Sequence, residues 1–107
     1  KKYLDTLHTV TIETMVSTAP ILTDPGIRAL MVEQCKQSGI DYLEMPSGAT
    51  HDGNMMALQT PVAMIFVPSK DGISHEKAEW TAPEDLDRGV DVLYSVVTAL
   101  GEQRKAE

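Results

Sequence analysis

The stretch from Val62 to Val67, which reads Val-Ala-Met-Ile-Phe-Val, is an unbroken apolar run that ends at Pro68. Such a run is typical of a central strand that is buried on both faces, as in a parallel sheet covered by helices. The run therefore predicts an α/β architecture.

Two further strands and one helix are predicted before this run. Val10 to Glu13 alternates apolar and polar residues, as a half-buried strand does, and Tyr42 to Met45 is a short strand candidate. Asp24 and Pro25 form a helix-start signal, and Gly39 is well placed to end that helix in a left-handed conformation. The predicted buried stripe of the helix is Ile27, Leu30, Met31 and Cys35.

The clearest predicted helix follows the run, after a polar loop. Thr81 to Glu84 has the form of a capping box, in which Glu84 reaches back to the chain before the helix. Apolar residues then recur at helical spacing up to Gly101, where the helix is expected to end. They are Leu86, Val90, Leu93, Val97 and Leu100. Alternating strands and helices form an α/β pattern. The central strands of the sheet would be only Tyr42–Met45 and Val62–Val67, and two are few for one sheet, so a fragment of a larger sheet is expected.

Composition excludes several functional classes. The 107 residues fit one small domain, and 42% hydrophobic with 23% charged residues is ordinary for a globular protein. A net charge of −7 disfavours nucleic acid as a partner, because an acidic surface repels phosphates. No apolar run approaches the roughly 20 residues that span a membrane, and Lys1 to Asp5 lacks the apolar core of a signal peptide. The absence of an initial methionine suggests a trimmed or excised chain.

The single cysteine, Cys35, excludes an intrachain disulfide, which suits a reducing compartment. It could form a nucleophilic pair with a histidine. Its position in the apolar stripe of a helix instead favours a buried structural thiol.

Two loops that follow predicted strands each carry one histidine. They are Met45 to Gly53, with His51, and Pro68 to Trp80, with His75. Ligands of α/β sheets bind at loops beyond the strand ends, and histidine can hold a metal or donate to a substrate. Taken alone, a loop histidine is usually a solvated side chain, and His51 with Asp52 could also form a local turn pair. His8 is given no role.

Three motifs in order narrow these alternatives. Residues 47–52 read Ser-Gly-Ala-Thr-His-Asp, residues 64–69 read Met-Ile-Phe-Val-Pro-Ser, and residues 72–75 read Gly-Ile-Ser-His, with Glu79 four residues on. Together they resemble the C-terminal end of the N-carbamoyl-L-amino-acid hydrolase and allantoate amidohydrolase family, a branch of the M20-type zinc aminoacylases and peptidases. The resemblance covers the chain from about Ile21 to Leu100.

The resemblance implies a fold and a domain division. The fold is the C-terminal part of a zinc-peptidase-like α/β/α sandwich, preceded by one strand from the inserted lid or dimerisation domain. Residues 1–20 would be the end of that lid domain and a linker. Residues 21–107 would be the C-terminal part of the catalytic domain.

The resemblance also implies a role for each of five residues. His75 falls on the family's last metal ligand, and His51 on a catalytic histidine that contacts substrate and stabilises the tetrahedral intermediate. Ser47 and Gly48 fall on the segment that lines the substrate pocket. Glu79 falls on a position that does not bind the metal itself and instead orients the residues around it.

Three residues depart from the family pattern. Thr50 stands where the family usually has glycine, and a β-branched residue is strained there if its φ is positive. Gly53 and Asn54 replace the usual alanine and glutamine.

The implied activity is hydrolysis of a linear amide, carbamoyl or ureido C–N bond in a small-molecule substrate. The parent enzyme would be a cytoplasmic homo-oligomer, a dimer, with a pair of zinc or manganese ions that activates water. His51 would stabilise the oxyanion. Because the other metal ligands and the catalytic glutamate of the family have no counterpart here, the chain alone is expected to bind metal weakly and to be inactive.

Two alternatives stay open at this point. One is a stand-alone, non-catalytic α/β module or degenerate gene product, which the acidic surface and the change at Thr50 allow. The other is an M20 aminoacylase or dipeptidase, although the histidine of the 47–52 motif favours the carbamoylase branch.

Overall fold

A computed structural model describes residues 9–107, and this part of the chain contains three α-helices and one 3₁₀ helix. Helices α1, α2 and α3 span Pro25–Ser38, Asp52–Met56 and Pro83–Ala106, and the 3₁₀ helix spans Lys70–Gly72. His8 and the other residues of 1–8 lie outside the described range. None of the described helices is long and apolar enough to cross a membrane.

The predicted α/β fold is wrong for the described residues, because no strand forms anywhere in 9–107. The predicted strands at Val10–Glu13, Tyr42–Met45 and Val62–Val67 all lack regular secondary structure. A strand exists only where a second backbone segment pairs with it, and no described segment does so. The α/β/α sandwich and the lid strand before it are therefore wrong as well. The described chain is helical, with irregular segments between its helices.

The predicted start and end of α1 are confirmed. The Asp24 carboxylate accepts a hydrogen bond from the Ile27 amide at 2.8 Å, and Pro25 occupies the first turn, where its missing N–H costs nothing. Gly39 has φ 66°, and its amide donates to the Lys36 carbonyl while the Ile40 amide donates to the Cys35 carbonyl. These two bonds are those of a Schellman motif, which satisfies carbonyls at the helix end.

The core lies between α1 and α3. Its four buried side chains are Leu30, Cys35, Val92 and Val96. Partly buried side chains pack around them, namely Ile27, Met31, Ile40, Ile65, Ala99 and Leu100. The stripe predicted for α1 thus faces the core, with two residues buried and two partly buried. Ile65 brings the apolar run of residues 62–67 against this helix pair.

The apolar run contacts different neighbours with alternate side chains. Ile65 packs on the core and Val67 lies directly against Gly89 of α3. Phe66 instead meets the His51 ring, and Met64 lies beside Gly53 of α2. The Val62 carbonyl accepts from the Asp24 amide at 2.7 Å, which ties the run to the start of α1. The run therefore connects the helix pair to the segment that carries His51.

Helix α3 differs from its prediction in three respects. Its N-cap is Ala82, whose side chain makes no capping hydrogen bond, so the predicted capping box does not form. The helix continues through Gly101 to Ala106. Most of the predicted stripe, from Leu86 to Val97, is 49% to 63% exposed, whereas Val92 and Val96 face the core. Helix α3 is apolar on more than one side, and its contact with α1 selects the side that is buried.

The described chain is extended. Its radius of gyration is 19.2 Å, whereas a compact domain of this length has about 13 Å. Many large apolar side chains remain exposed, including Ile12, Leu22, Leu43 and Tyr94. The helix pair therefore covers only a small part of the chain's apolar surface.

Two glycines of α3 give a matched test of this packing. A Cβ at Gly89 would meet a Val67 methyl at 2.7 Å, while a Cβ at Gly101 meets nothing within 4 Å. We expect Gly89→Ala to lower the free energy of unfolding by about 1–3 kcal/mol through overpacking. Gly101→Ala should leave it unchanged or raise it by up to about 1 kcal/mol. Urea denaturation followed by circular dichroism measures both, and equal effects would contradict the contact between the run and α3.

Candidate functional site

The first predicted loop folds back on itself through Ser47 and His51. The Ser47 hydroxyl lies 2.7 Å from the His51 Nε2 atom. The same hydroxyl oxygen accepts a hydrogen bond from the Ala49 amide at 3.3 Å. These bonds bring together two of the residues that sequence analysis selected, and they fix one nitrogen of the imidazole.

Helix α2 fixes the backbone of His51. His51 is its N-cap residue, with extended φ and ψ of −131° and 158°. The His51 amide donates to the Asn54 side-chain oxygen at 3.2 Å, and the Asn54 amide donates to the His51 carbonyl at 2.9 Å. In the sequence, Asn54 stands out only as a departure from the family pattern. Its position three residues after the N-cap, where a capping-box partner stands, was the available signal.

Phe66 fixes the face of the His51 ring. The two ring centroids are 5.7 Å apart and the planes are tilted by 56°, within the range of favourable aromatic pairs. The His51 side chain is half-buried as a result. Phe66 was predicted only as part of a buried strand, and nothing in its sequence position indicated this contact.

Ser47, Gly48 and His51 line one open cleft between α1, the 40–50 segment and the apolar run. A Cβ at Gly48 would meet no atom within 4 Å, so a ligand can approach the backbone there. His75 and Glu79 are not among the residues that line this cleft. The roles predicted for all five residues stay predictions, and the structure places three of them together.

The second loop is closed on itself around the 3₁₀ helix. The Lys70 amide donates to the Trp80 carbonyl at 2.8 Å, and the Ser69 hydroxyl donates to the Ile73 carbonyl. Asp71 and His75 have positive φ values of 56° and 61°. Non-glycine residues adopt this conformation at a cost, so each position needs a compensating contact.

Glu79 supplies that contact for His75. Its carboxylate accepts a hydrogen bond from the His75 backbone amide at 3.1 Å. Glu79, predicted to orient the metal site, therefore contacts the main chain of the predicted metal ligand His75. Both side chains are exposed. This carboxylate stabilises a left-handed turn that presents the imidazole of His75.

The described residues do not form a complete metal site. A zinc site needs three or four protein ligands. Within residues 9–107, no three histidine, cysteine, aspartate or glutamate side chains are grouped to hold an ion. His75 can supply one ligand, and the structure adds no second one to it.

Two remaining expectations concern Thr50 and Cys35. Thr50 is not among the non-glycine residues with positive φ, so the threonine is accommodated without left-handed strain. Cys35 is buried in the core, and burial raises the pKa of its thiol. Its place in the core between α1 and α3 fits the structural thiol that the sequence favours.

Comparison with known proteins gives a consistent set of relatives. The sequence profile of Peptidase family M20/M25/M40 matches residues 4–99. The chain is 41% identical over 93 residues to an N-carbamoyl-L-amino acid amidohydrolase of Geobacillus stearothermophilus, which covers 87% of the chain. It is 35% identical over 95 residues, 89% of the chain, to the allantoate amidohydrolase of Escherichia coli strain K12. It is 38% identical over 84 residues, 78% of the chain, to a ureidoglycolate hydrolase of Oryza sativa subsp. japonica.

These matches cover only part of each relative. The chain spans 23% of the first two relatives and 17% of the third. No solved structure gives a significant match to the chain.

The bond between Glu79 and the His75 amide is tested by a pair of substitutions. Glu79→Ala removes the acceptor, and we expect the His75 amide to exchange with solvent several-fold faster because its turn opens more often. Glu79→Gln keeps a side-chain oxygen acceptor and should exchange close to the wild-type rate. Hydrogen exchange followed by NMR measures both, and equal rates in wild type and Glu79→Ala would contradict the bond.

Proposed function

This chain belongs to peptidase family M20/M25/M40, and on that premise we propose that the protein containing it hydrolyses a linear amide, carbamoyl or ureido C–N bond. Three relatives support the reaction class, because their names assign them N-carbamoyl-L-amino acids, allantoate and ureidoglycolate. Each of these small molecules carries a carbamoyl or ureido group. The structural observation that carries the proposal is the cleft-lining His51, held at once by Ser47, Asn54 and Phe66.

His51 is the proposed catalytic residue. Hydrolysis of an amide places negative charge on the carbonyl oxygen, and a pre-positioned donor that meets this charge lowers the barrier. A half-buried imidazole, fixed through its backbone, one ring face and one nitrogen, is such a donor. Ser47 and Gly48 line the cleft beside it, and we propose that this segment contacts the substrate.

The family is generally metal-dependent, and we propose zinc or manganese as the cofactor of this protein. His75 would contribute one ligand, on the left-handed turn that Glu79 stabilises. Since the described residues do not complete a metal site, the other ligands must come from elsewhere in the protein.

The setting of the enzyme is also proposed. We assign a small-molecule substrate, a homo-oligomeric, dimeric assembly and a cytoplasmic location, with neither nucleic acid nor a membrane as partner. The net charge of −7 supports the exclusion of nucleic acid.

We also propose the domain division that the resemblance implies. Residues 1–20 would be the end of a lid domain and a linker, and residues 21–107 would be part of the catalytic domain. Within the first of these parts, residues 9–20 are exposed and contain no helix.

His51 and His75 act as controls for each other in a test of these roles. In the metal-loaded protein that contains this chain, we expect His51→Ala to lower kcat by about 10²-fold, the usual loss of one oxyanion donor. The metal content of the His51→Ala variant should equal that of the wild type. We expect His75→Ala to lose bound metal, because one ligand is missing. Turnover of N-carbamoyl-L-amino acids, allantoate and ureidoglycolate, together with metal content by plasma mass spectrometry, measures both.

Two results would contradict the assignment. Normal metal content in His75→Ala would exclude His75 as a ligand. Hydrolysis of N-acetyl amino acids or dipeptides in place of all three ureido substrates would move the protein to the aminoacylase or dipeptidase branch.

The isolated 107-residue chain gives a separate prediction. We expect it to bind zinc or manganese only weakly and to hydrolyse neither N-carbamoyl-L-amino acids nor allantoate nor ureidoglycolate, because it offers one predicted metal ligand. Isothermal titration with each metal, and an assay for released ammonia on metal-supplemented chain, test this. Tight stoichiometric binding or turnover by the pure chain would contradict it.

A further inference from the structure

The hydroxyl of Ser69 closes the base of the second loop, where the apolar run ends and the loop that carries His75 begins. It donates to the Ile73 carbonyl, two residues before His75. We propose that Ser69 is a positioning residue, which holds the His75 turn in place for the zinc or manganese that the protein binds. The inference rests on the proposed function, in which His75 is a metal ligand, and it names what fixes that ligand.

The direction of this bond is fixed by its partners. A backbone carbonyl has no hydrogen and can only accept, so the Ser69 hydroxyl is the donor. The Trp80 carbonyl lies 3.5 Å from the same hydroxyl oxygen, which is longer than an ordinary O–H···O bond. The Ile73 carbonyl therefore receives the single hydrogen of the hydroxyl, and the bond joins the start of the loop to the turn at His75.

The turn at His75 is held from both sides. Ser69 holds the Ile73 carbonyl on one side, and the Glu79 carboxylate accepts from the His75 amide at 3.1 Å on the other. Only Ser74 lies between these two anchor points. His75 has a φ of 61°, a conformation that a non-glycine residue keeps only where its surroundings fix it. The loss of either contact should therefore loosen the turn.

This arrangement suits a metal ligand that is oriented in advance. The imidazole of His75 is exposed and can supply one ligand to zinc or manganese. A ligand whose backbone is already ordered loses less conformational freedom on binding, so the ordered turn raises metal affinity. Ser69 is not among the residues that line the cleft with His51, so its contribution is to the metal and not to substrate binding.

Two substitutions of equal shape separate the hydroxyl of Ser69 from the bulk of its side chain. Ser69 has extended φ and ψ of −110° and 141°, which β-branched residues adopt readily. Ser69→Thr keeps a hydroxyl donor, whereas Ser69→Val has the same shape without one. The two variants therefore differ in the donor to the Ile73 carbonyl alone.

The experiment measures the zinc dissociation constant of the protein that contains this chain, by competition with a chelating dye. Ser69→Ala and Ser69→Val should bind zinc about fivefold more weakly, the loss expected for one hydrogen bond of ordinary strength. Ser69→Thr should bind zinc with nearly wild-type affinity. At saturating zinc, kcat and KM of all three variants should match those of the wild type, because the turn acts through metal affinity.

Two results would overturn the inference. One is equal zinc affinity in Ser69→Thr and Ser69→Val. The other is loss of the helical circular dichroism signal in both Ser69→Ala and Ser69→Val, which would make Ser69 a residue of the fold, although the core of α1 and α3 lies outside the loop.

The failure of this inference is distinguishable from the failure of the proposed function. Wild-type zinc affinity in Ser69→Ala, together with metal loss in His75→Ala, would refute only the role of Ser69. Normal metal content in His75→Ala would refute the proposed ligand itself.

Discussion

The packing of the apolar run at residues 62–67 against the α1–α3 helix pair determines where the candidate site lies. Ile65 and Val67 contact the helices, and the Val62 carbonyl is tied to the start of α1. Phe66, between them in sequence, is left to meet His51 from the other side. The hydrophobic effect that seats the run therefore also fixes one face of the imidazole. A shift of the run by one residue would exchange its contacts and take Phe66 away from His51.

The two histidines are held by different means, and this difference fits their proposed roles. His51 is restrained at its backbone, its ring face and one nitrogen, as a donor that must be oriented in advance requires. His75 is restrained through its backbone alone, by the Glu79 carboxylate. A metal ligand placed in this way still needs its partners to complete the coordination. On this proposal, the described residues contribute parts of a site, and other residues of the protein would complete the metal centre.

The local signals of the sequence were more informative than its long-range ones. The ends of α1 were predictable because Asp24, Pro25 and Gly39 act on their own neighbours. The predicted strands were wrong because an apolar run does not show whether a second segment will pair with it. Residues 62–67 instead pack partly against the helix pair and stay half-buried or exposed. The predicted stripe of α3 was wrong except at Leu100, because the helix is apolar on several sides and its contact with α1 determines which side is buried. Ser47 and His51 were predicted through family resemblance, whereas their mutual contact and the role of Phe66 depend on packing that the sequence does not specify.

We propose that this chain contributes His51 to the substrate and His75 to the metal of an M20-family amidohydrolase. The most direct measurement is a crystal structure of the metal-loaded protein that contains this chain, with a non-hydrolysable substrate analogue bound. We expect a His75 ring nitrogen on the metal, at about 2.0–2.1 Å for zinc, and a His51 ring nitrogen within hydrogen-bond distance of the carbonyl oxygen of the analogue. A His75 ring turned to solvent, or an analogue bound away from His51, would contradict it.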